Sequence, residues 1–343
     1  NDCDGFADTP VVMGAEAALT SNTITPAESQ VAELAWAGSM YAVVYHDYYS
    51  AASEIALQRR SGTGTALGTT RVSTGSTSMS WDPSMAWSGS HLGVAWQDSR
   101  DGGYYEIYFA TFSGAGVKLT GDTRLTNTTS YFSQSASVAW TGTEFGVAYS
   151  DGVGGNEHLF FTRVSAAGAK VGSDIPLEAG TAFSTRPSLA WTGTQYGVAW
   201  VDTRDGNSEI YFRRFSATGT ASGTEVRLTN QAATSNSPNM AWNGSRYAIV
   251  WSDNRNAGNY DIYFATLTQT GVVGTGEPRL TSMAGSGMLP TIAWTGSQYG
   301  IAWHDDTVSD YEIYFMLVSP TGVQVGSNMR VNDQNGMSAG AWI

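Results

Sequence analysis

A phrase of about fifty residues recurs six times along the 343-residue chain, and this recurrence limits the possible folds more than any single motif does. Its fourth copy runs Pro187-Ser-Leu-Ala-Trp191-Thr-Gly-Thr-Gln-Tyr196-Gly-Val-Ala-Trp200-Val-Asp202-Thr-Arg204-Asp-Gly-Asn-Ser-Glu209-Ile-Tyr211-Phe212. A Gly/Ser/Thr turn and Val226-Arg-Leu-Thr-Asn230 complete the unit. An Ala-Trp pair marks the register at Trp36, Trp87, Trp140, Trp191, Trp242 and Trp294, in steps of 51, 53, 51, 51 and 52 residues. A unit repeated at such a period cannot bury its apolar face alone and must stack on its neighbours, as in solenoids, propellers and arrays. Length alone would suggest two domains. The repeat predicts one, spanning 14–343 behind a short tail at 1–13.

Each unit parses into four short strands, a to d. Strand a ends in Ala-Trp. A Thr-Gly-Thr, Ser-Gly-Ser or Asn-Gly-Ser turn follows, in which glycine supplies the positive φ that a hairpin needs. Strand b alternates as Tyr-Gly-Val-Ala-Trp-x-Asp, a longer loop carries Asp-x-Arg-Asp-Gly or a relative, and strand c reads Glu-Ile-Tyr-Phe. A Gly-rich turn leads to strand d, typically Arg-Leu-Thr-Asn. No segment shows a 3.6-residue apolar period, and short runs separated by Gly turns read as antiparallel meander. The prediction is all-β: a six-bladed β-propeller with four antiparallel strands per blade. Seven blades is the alternative, because 14–20 resembles a spare strand d and 338–343 a spare strand a, either of which would clasp the ring. The Ala-Trp tryptophans are expected to form inter-blade core.

Charged residues make up only 14% of the chain, with a net charge of −13. That sign repels phosphate backbones and anionic lipid, so nucleic acid is excluded as a partner. No run of about eighteen apolar residues exists to span a membrane. The single cysteine, Cys3, cannot form an internal disulfide. The chain starts at Asn1 rather than Met, as a processed chain would. Acidity, low Lys and abundant Gly, Ser, Thr and Trp point to a secreted, cell-surface or periplasmic bacterial protein.

The phrase Pro-x-Leu-Ala-Trp-Thr-Gly-x-x-Tyr-Gly-Val-Ala-Trp-x-Asp-x-Arg-Asp-Gly-Asn-x-Glu-Ile-Tyr resembles the repeat of TolB-type bacterial propellers over about residues 30–333. The resemblance implies six blades and leaves activity open, since that family includes periplasmic scaffolds and peptidase-associated propellers. The repeat here is longer and no catalytic domain is attached. The Ser-x-Asp-x-Gly-x-Thr-Trp boxes of sialidases do not occur.

Two acids recur in every unit. The first closes strand b (Asp47, Asp98, Asp151, Asp202, Asp253, Asp305) and the second opens strand c (Glu54, Glu106, Glu157, Glu209, Asp261, Glu312). Arg100, Arg204 and Arg255 lie between them in three units. The simplest reading is a structural strap, in which one planar guanidinium serves both acids: Asp98, Arg100 and Glu106; Asp202, Arg204 and Glu209; Asp253, Arg255 and Asp261. Units 1, 3 and 6 carry Tyr49, Val153 and Thr307 instead. Units 1 and 6 would meet on ring closure, and both place histidine before the acid, as His46-Asp47 and His304-Asp305-Asp306. Imidazole and carboxylate together bind divalent metals or move protons. His46, Asp47, His304 and Asp305 are therefore candidate metal ligands for Ca²⁺ or another divalent cation, and Tyr49 and Asp306 candidate ligand-binding neighbours. The alternative is that these histidines cap strand ends. Glu33 is the one acid in a strand-a column otherwise made of Ser84, Ser137, Ser188, Asn239 and Thr291. It would complete an oxygen-rich site or face channel water. Tyr48, Tyr49, Tyr104, Tyr105 and Tyr260 would sit in exposed loops and offer stacking faces for sugars or partner side chains.

No His-Glu-x-x-His, Gly-x-Ser-x-Gly, phosphate loop or Cys/His zinc spacing occurs. With no catalytic constellation, the leading expectation is a non-catalytic binding or scaffold propeller that recognises a protein partner or glycan on its loop-rich face. The alternatives are a hydrolase or lyase at the blade 1/blade 6 seam and a repeated lectin with one weak site per blade.

Overall fold

A computed structural model of the chain describes residues 29–331 apart from 50–51, 74–77, 129–130, 179, 181, 257, 275 and 308–311. Six antiparallel sheets follow one another in chain order and form a propeller ring. Blade 4 shows the pattern: Ser184–Trp191, Gln195–Asp202, Glu209–Ser216 and Ala221–Arg227 pair in simple sequence order. Blade 5 departs from it, because its ordered sheet holds three strands and two isolated bridges, Tyr263–Arg279 and Leu267–Val273, mark the line of the fourth. The six-bladed expectation holds, and six sheets rather than seven are present among the described residues. The tail at 1–13 and the two end segments, 14–20 and 338–343, lie outside those residues.

The apolar core lies between blades. Five buried clusters each join two neighbouring sheets, from blades 1 and 2 through to blades 5 and 6. Strand b supplies the centre of each, because both its faces are covered and it reads as a near-continuous apolar run. Trp96, Trp200, Trp251 and Trp303 on this strand are fully buried. The Ala-Trp tryptophans meet their expected place at its edge: Trp87, Trp140, Trp191, Trp242 and Trp294 are partly buried and pack against the inter-blade clusters, and only Trp36, 49% exposed, departs from it. Trp191 packs on Tyr196 at the end of its own blade, 4.7 Å between ring centroids.

Glycine in strand b makes the close stacking possible. A Cβ on Gly93 would meet Phe145 of the next blade at 2.5 Å and Phe109 of its own at 2.7 Å. Gly146 and Gly197 receive Tyr196 and Tyr247 in the same way. Blades 1 and 5 carry Ala42 and Ala248 in this column. Ala42 clusters with the smaller Leu92. Beside Ala248 the aromatic pair Phe264–Tyr299 stands at 5.6 Å, against 5.0 Å for Phe212–Tyr247 beside Gly197.

Candidate active site

The innermost strands surround a central channel, and their backbone is irregular where it lines it. Strand a changes register against strand b between Trp81 and Ser84 in blade 2, Thr185 and Ser188 in blade 4, and Met288 and Thr291 in blade 6. Five residues at these bulges have positive φ without being glycine: Asp82 (43°), Ser135 (54°), Arg186 (53°), Ser237 (52°) and Leu289 (48°). Four of them precede proline, which disfavours helical backbone in the residue before it. Such conformations cost on the order of 1–3 kcal/mol each, and structures that keep them concentrate them at functional sites. All five residues line one cavity of about 220 Å³, together with Glu33.

In blades 1, 2, 3 and 5 a side chain two residues on from the bulge reaches across to the next blade. Ser84 Oγ accepts the backbone N–H of Val138 at 3.1 Å, Ser137 Oγ that of Leu189 at 3.0 Å, and Asn239 Oδ1 that of Ile292 at 3.0 Å. Glu33 does the same for Met85 at 2.6 Å. In this column a hydroxyl or amide suffices as the stitch, and only blade 1 uses a carboxyl. Burial pushes the Glu33 pKa from 4.5 up to about 7, with the Met85 N–H and the Ser84 hydroxyl holding it back. Glu33 thus keeps its proton through mildly acidic pH and loses it about neutrality.

Asp82 and Arg186 add charge to the same wall. Burial raises the Asp82 pKa, and the Arg186 guanidinium opposes the rise. Arg186 also donates to Ser237 Oγ at 3.0 Å across the blade 4/blade 5 boundary. The cavity therefore holds a protonated acid, a second carboxyl under the influence of an arginine, and a set of serines and one asparagine. Asp82 and Arg186 escaped the sequence reading. The signal was present, since they are the charged members of a column that otherwise reads Val31, Ser135, Ser237 and Leu289.

Of the residues expected at the blade 1/blade 6 seam, His46 is placed elsewhere. His46 is buried and its ring lies 4.6 Å from Trp81, so it occupies the blade 1/blade 2 junction. Burial lowers its pKa to about 4, despite the nearby Asp47 charge. His304 holds the equivalent slot of blade 6, one blade back, and burial lowers its pKa also. Asp47 and Asp305 are buried, Asp305 as the last residue of its strand and Asp47 two residues before the end of its own. Thr307 donates its backbone N–H to Asp305 at 2.9 Å, and Asp306 accepts the Ser286 N–H at 2.5 Å. The Tyr49 side chain lies outside the described residues. Among those residues no three His, Cys, Asp or Glu side chains gather as a metal would need, so the set His46, Asp47, His304 and Asp305 is not assembled.

The straps exist with a different wiring. Arg100 donates to Asp98 at 2.5 Å and to Asp122 at 2.7 Å, not to Glu106. Glu106 is served by Arg124 at the end of strand d, at 2.7 Å, and by Thr126 Oγ1. Blade 4 repeats this with Arg204 between Asp202 and Glu225, and Arg227 on Glu209. In blade 5 Arg255 joins Asp253 to Glu277, and Arg279 pairs with Asp261. Each strap guanidinium stacks on the strand-c tyrosine, 4.4 to 4.5 Å from its centroid. Burial would raise the pKa of Asp98, Asp202 and Asp253, but the bonds and charge of the arginine outweigh it and hold each below its usual range. Blade 3, with Val153 in the arginine position, shows the converse. Burial lifts the Asp151 pKa to about 6, with Ser133 opposing and Glu106 and Asp174 adding to the rise.

No protein-family model matches the chain. No curated protein matches it either. Solved structures match in fold. A protein of unknown function from Dyadobacter fermentans DSM 18053 is 8% identical over 87% of this chain and 93% of that one, with a TM-score of 0.59. The Trypanosoma rangeli sialidase is 11% identical over 84% of this chain and 54% of its own, with a TM-score of 0.56. A thermostable family-43 glycoside hydrolase is 14% identical over 77% and 97%, with a TM-score of 0.48. Identities this low express a shared fold, the six-bladed propeller, and do not extend to TolB-type membership. The expectation of a non-catalytic binding or scaffold propeller is corrected at this point: the fold is shared with a sialidase, so a propeller of this kind need not be a non-catalytic scaffold.

Proposed function

We propose that this propeller is a glycoside hydrolase whose chemistry takes place in the central channel, with Glu33 as general acid and Asp82 as the second carboxyl. One observation carries the reading: a carboxylic acid held protonated to about pH 7 shares a cavity with another carboxyl and an arginine. Glycosidic cleavage needs this division of labour. One carboxyl, its pKa raised, protonates the departing oxygen, while the other is ionised and acts as base or nucleophile. Environments that separate the two pKa values assign the roles. Burial favours Glu33 as the donor; burial raises the Asp82 pKa as well, but there the Arg186 charge opposes the rise, and that opposition is the ground for giving Asp82 the ionised role. The bulges keep Asp82 and Arg186 on the cavity wall, and Ser135, Ser137, Ser188, Ser237 and Asn239 offer polar groups to sugar hydroxyls.

The TolB-like character of the repeat then belongs to the scaffold, and the activity to residues that depart from it. A carbohydrate partner and an extracytoplasmic location are consistent with this reading. The test is release of reducing ends from a panel of aryl glycosides and polysaccharides by the wild type and Glu33→Gln. The amide retains an oxygen for the Met85 N–H but has no proton to donate. Loss of at least about 100-fold with unchanged melting is expected. A fully active Glu33→Gln protein, or a wild type inert on the whole panel, would sink the proposal.

A further inference from the structure

An aromatic surface begins at the channel and runs outward over blades 2 and 3. Its inner member is Tyr105, whose hydroxyl interacts with the Trp81 indole and lies within Coulomb range of Asp82. The Tyr105 ring stands 5.6 Å from Phe132, and Phe132 stands 5.5 Å from Tyr104 in edge-on contact. Phe132 immediately precedes strand a of blade 3, Ser133–Trp140. It is three residues from Ser135 on the cavity wall, roughly 10 Å of extended chain. Phe183 holds the equivalent place before strand a of blade 4, three residues from Arg186. Tyr131 packs over Gly152, where a side chain would meet its Cγ at 2.8 Å.

Single exposed aromatics are ordinary, whereas a contiguous group is costly to leave in water and marks a binding surface. Tyr104 is 40% exposed, Phe132 43%, Tyr131 38% and Phe183 39%. In the repeat these are loop positions outside the inter-blade clusters, so packing between blades does not account for them.

We infer that Tyr104, Tyr105 and Phe132 form a platform on which successive sugar rings of an uncharged polysaccharide chain stack as it enters the channel. The inference rests on the glycosidase reading of that channel and extends it from a bond type to a polymeric substrate. Sugar rings present flat C–H faces edged by hydroxyls, and Tyr and Phe rings match the faces while the tyrosine hydroxyls meet the edges. Continuity with the Asp82 wall sets the direction of the chain. The net charge of −13 disfavours a polyanion.

The experiment is native affinity electrophoresis of the Glu33→Gln protein, which binds without cleaving, through gels containing soluble arabinan, galactan, xylan or mixed-linkage β-glucan. Polygalacturonate serves as the anionic control. At least one uncharged polymer should retard the protein. Phe132→Ala and Tyr104→Ala, made in the same background, should each weaken that binding about tenfold without moving the melting temperature. Absence of retardation, retardation undiminished in both variants, or tighter binding to polygalacturonate would each overturn the platform. Wild-type hydrolysis is scored separately. Retardation without hydrolysis would keep the platform and end the glycosidase reading, whereas hydrolysis without retardation would do the reverse.

Discussion

Replacing Arg204 by valine would give blade 4 the arrangement that blade 3 has already. In the wild type, Asp202 is 1% exposed and accepts from Ser184 Oγ at 3.1 Å, Trp200 Nε1 at 3.1 Å, the Arg204 backbone at 2.9 Å and the Arg204 guanidinium at 2.5 Å. Without the guanidinium, the carboxylate would keep its burial and lose its counter-charge. Asp151 shows the result, a pKa lifted from 3.8 to about 6. At ~1.4 kcal/mol per tenfold, that rise is worth about 3 kcal/mol. This lies at the low end of the ~3–5 kcal/mol for breaking a buried ion pair. The wild-type Asp202 has a depressed native pKa, so it stabilises above the unfolded value and loses that stabilisation as pH falls through the native value. In the variant the sign reverses: the raised pKa makes the native state most favoured below about pH 4 and penalises it as pH rises through about 6. Urea denaturation should therefore show Arg204→Val losing at least about 3 kcal/mol at pH 7 and about 2 kcal/mol less than that at pH 4.5. Equal losses at the two pH values, or less than about 1 kcal/mol at pH 7, would refute the claim that the strap neutralises a buried charge.

The proton on Glu33 gives a second test. Hydrolysis should decline as pH rises through about 7, and a pH–rate profile flat across that range would remove Glu33 as the acid. The same raised pKa makes its contribution to stability complete below pH 4.5 and lost as pH rises through about 7, a slope that Glu33→Gln should abolish in melting curves. Gly93→Ala should cost about 1–3 kcal/mol or more in thermal or urea unfolding, because its methyl would overlap Phe145 and Phe109 inside the blade 2/blade 3 core.

The ring was legible because it rests on a period, and Trp36 to Trp294 display that period directly. Pairings across a blade were not. Glu106 and Arg124 stand 18 residues apart, and nothing in their neighbourhoods says that Arg100, much nearer in sequence, turns to Asp122 instead. Glu33 could be singled out because it breaks a column of small polar groups. Asp82 and Arg186 sit before prolines, where a sequence reads as a turn, and the bulge that places them in the channel comes from register slippage between two strands. His46 and His304 share a sequence context, which suggested a common site. His46 packs on Trp81 of blade 2 and His304 holds the equivalent slot of blade 6, so identical context in a ring means equivalent places, not the same place.

The strand-b glycines have a consequence for how many blades there are. Each blade presents one edge to the next and receives a different edge from the one before, a head-to-tail contact that closes only when its rotations sum to a full turn. Beside Gly93, Gly146 and Gly197 an aromatic ring of the next blade enters the space a Cβ would fill, so the approach of the two blades at each joint depends on that space. Where Ala248 stands in this column, the Phe264–Tyr299 pair is more open, and where Ala42 stands, the incoming side chain is the smaller Leu92. A methyl added at several of these joints together would act on rotations that must sum to a full turn, and so on closure of the ring as well as on the packing of each side.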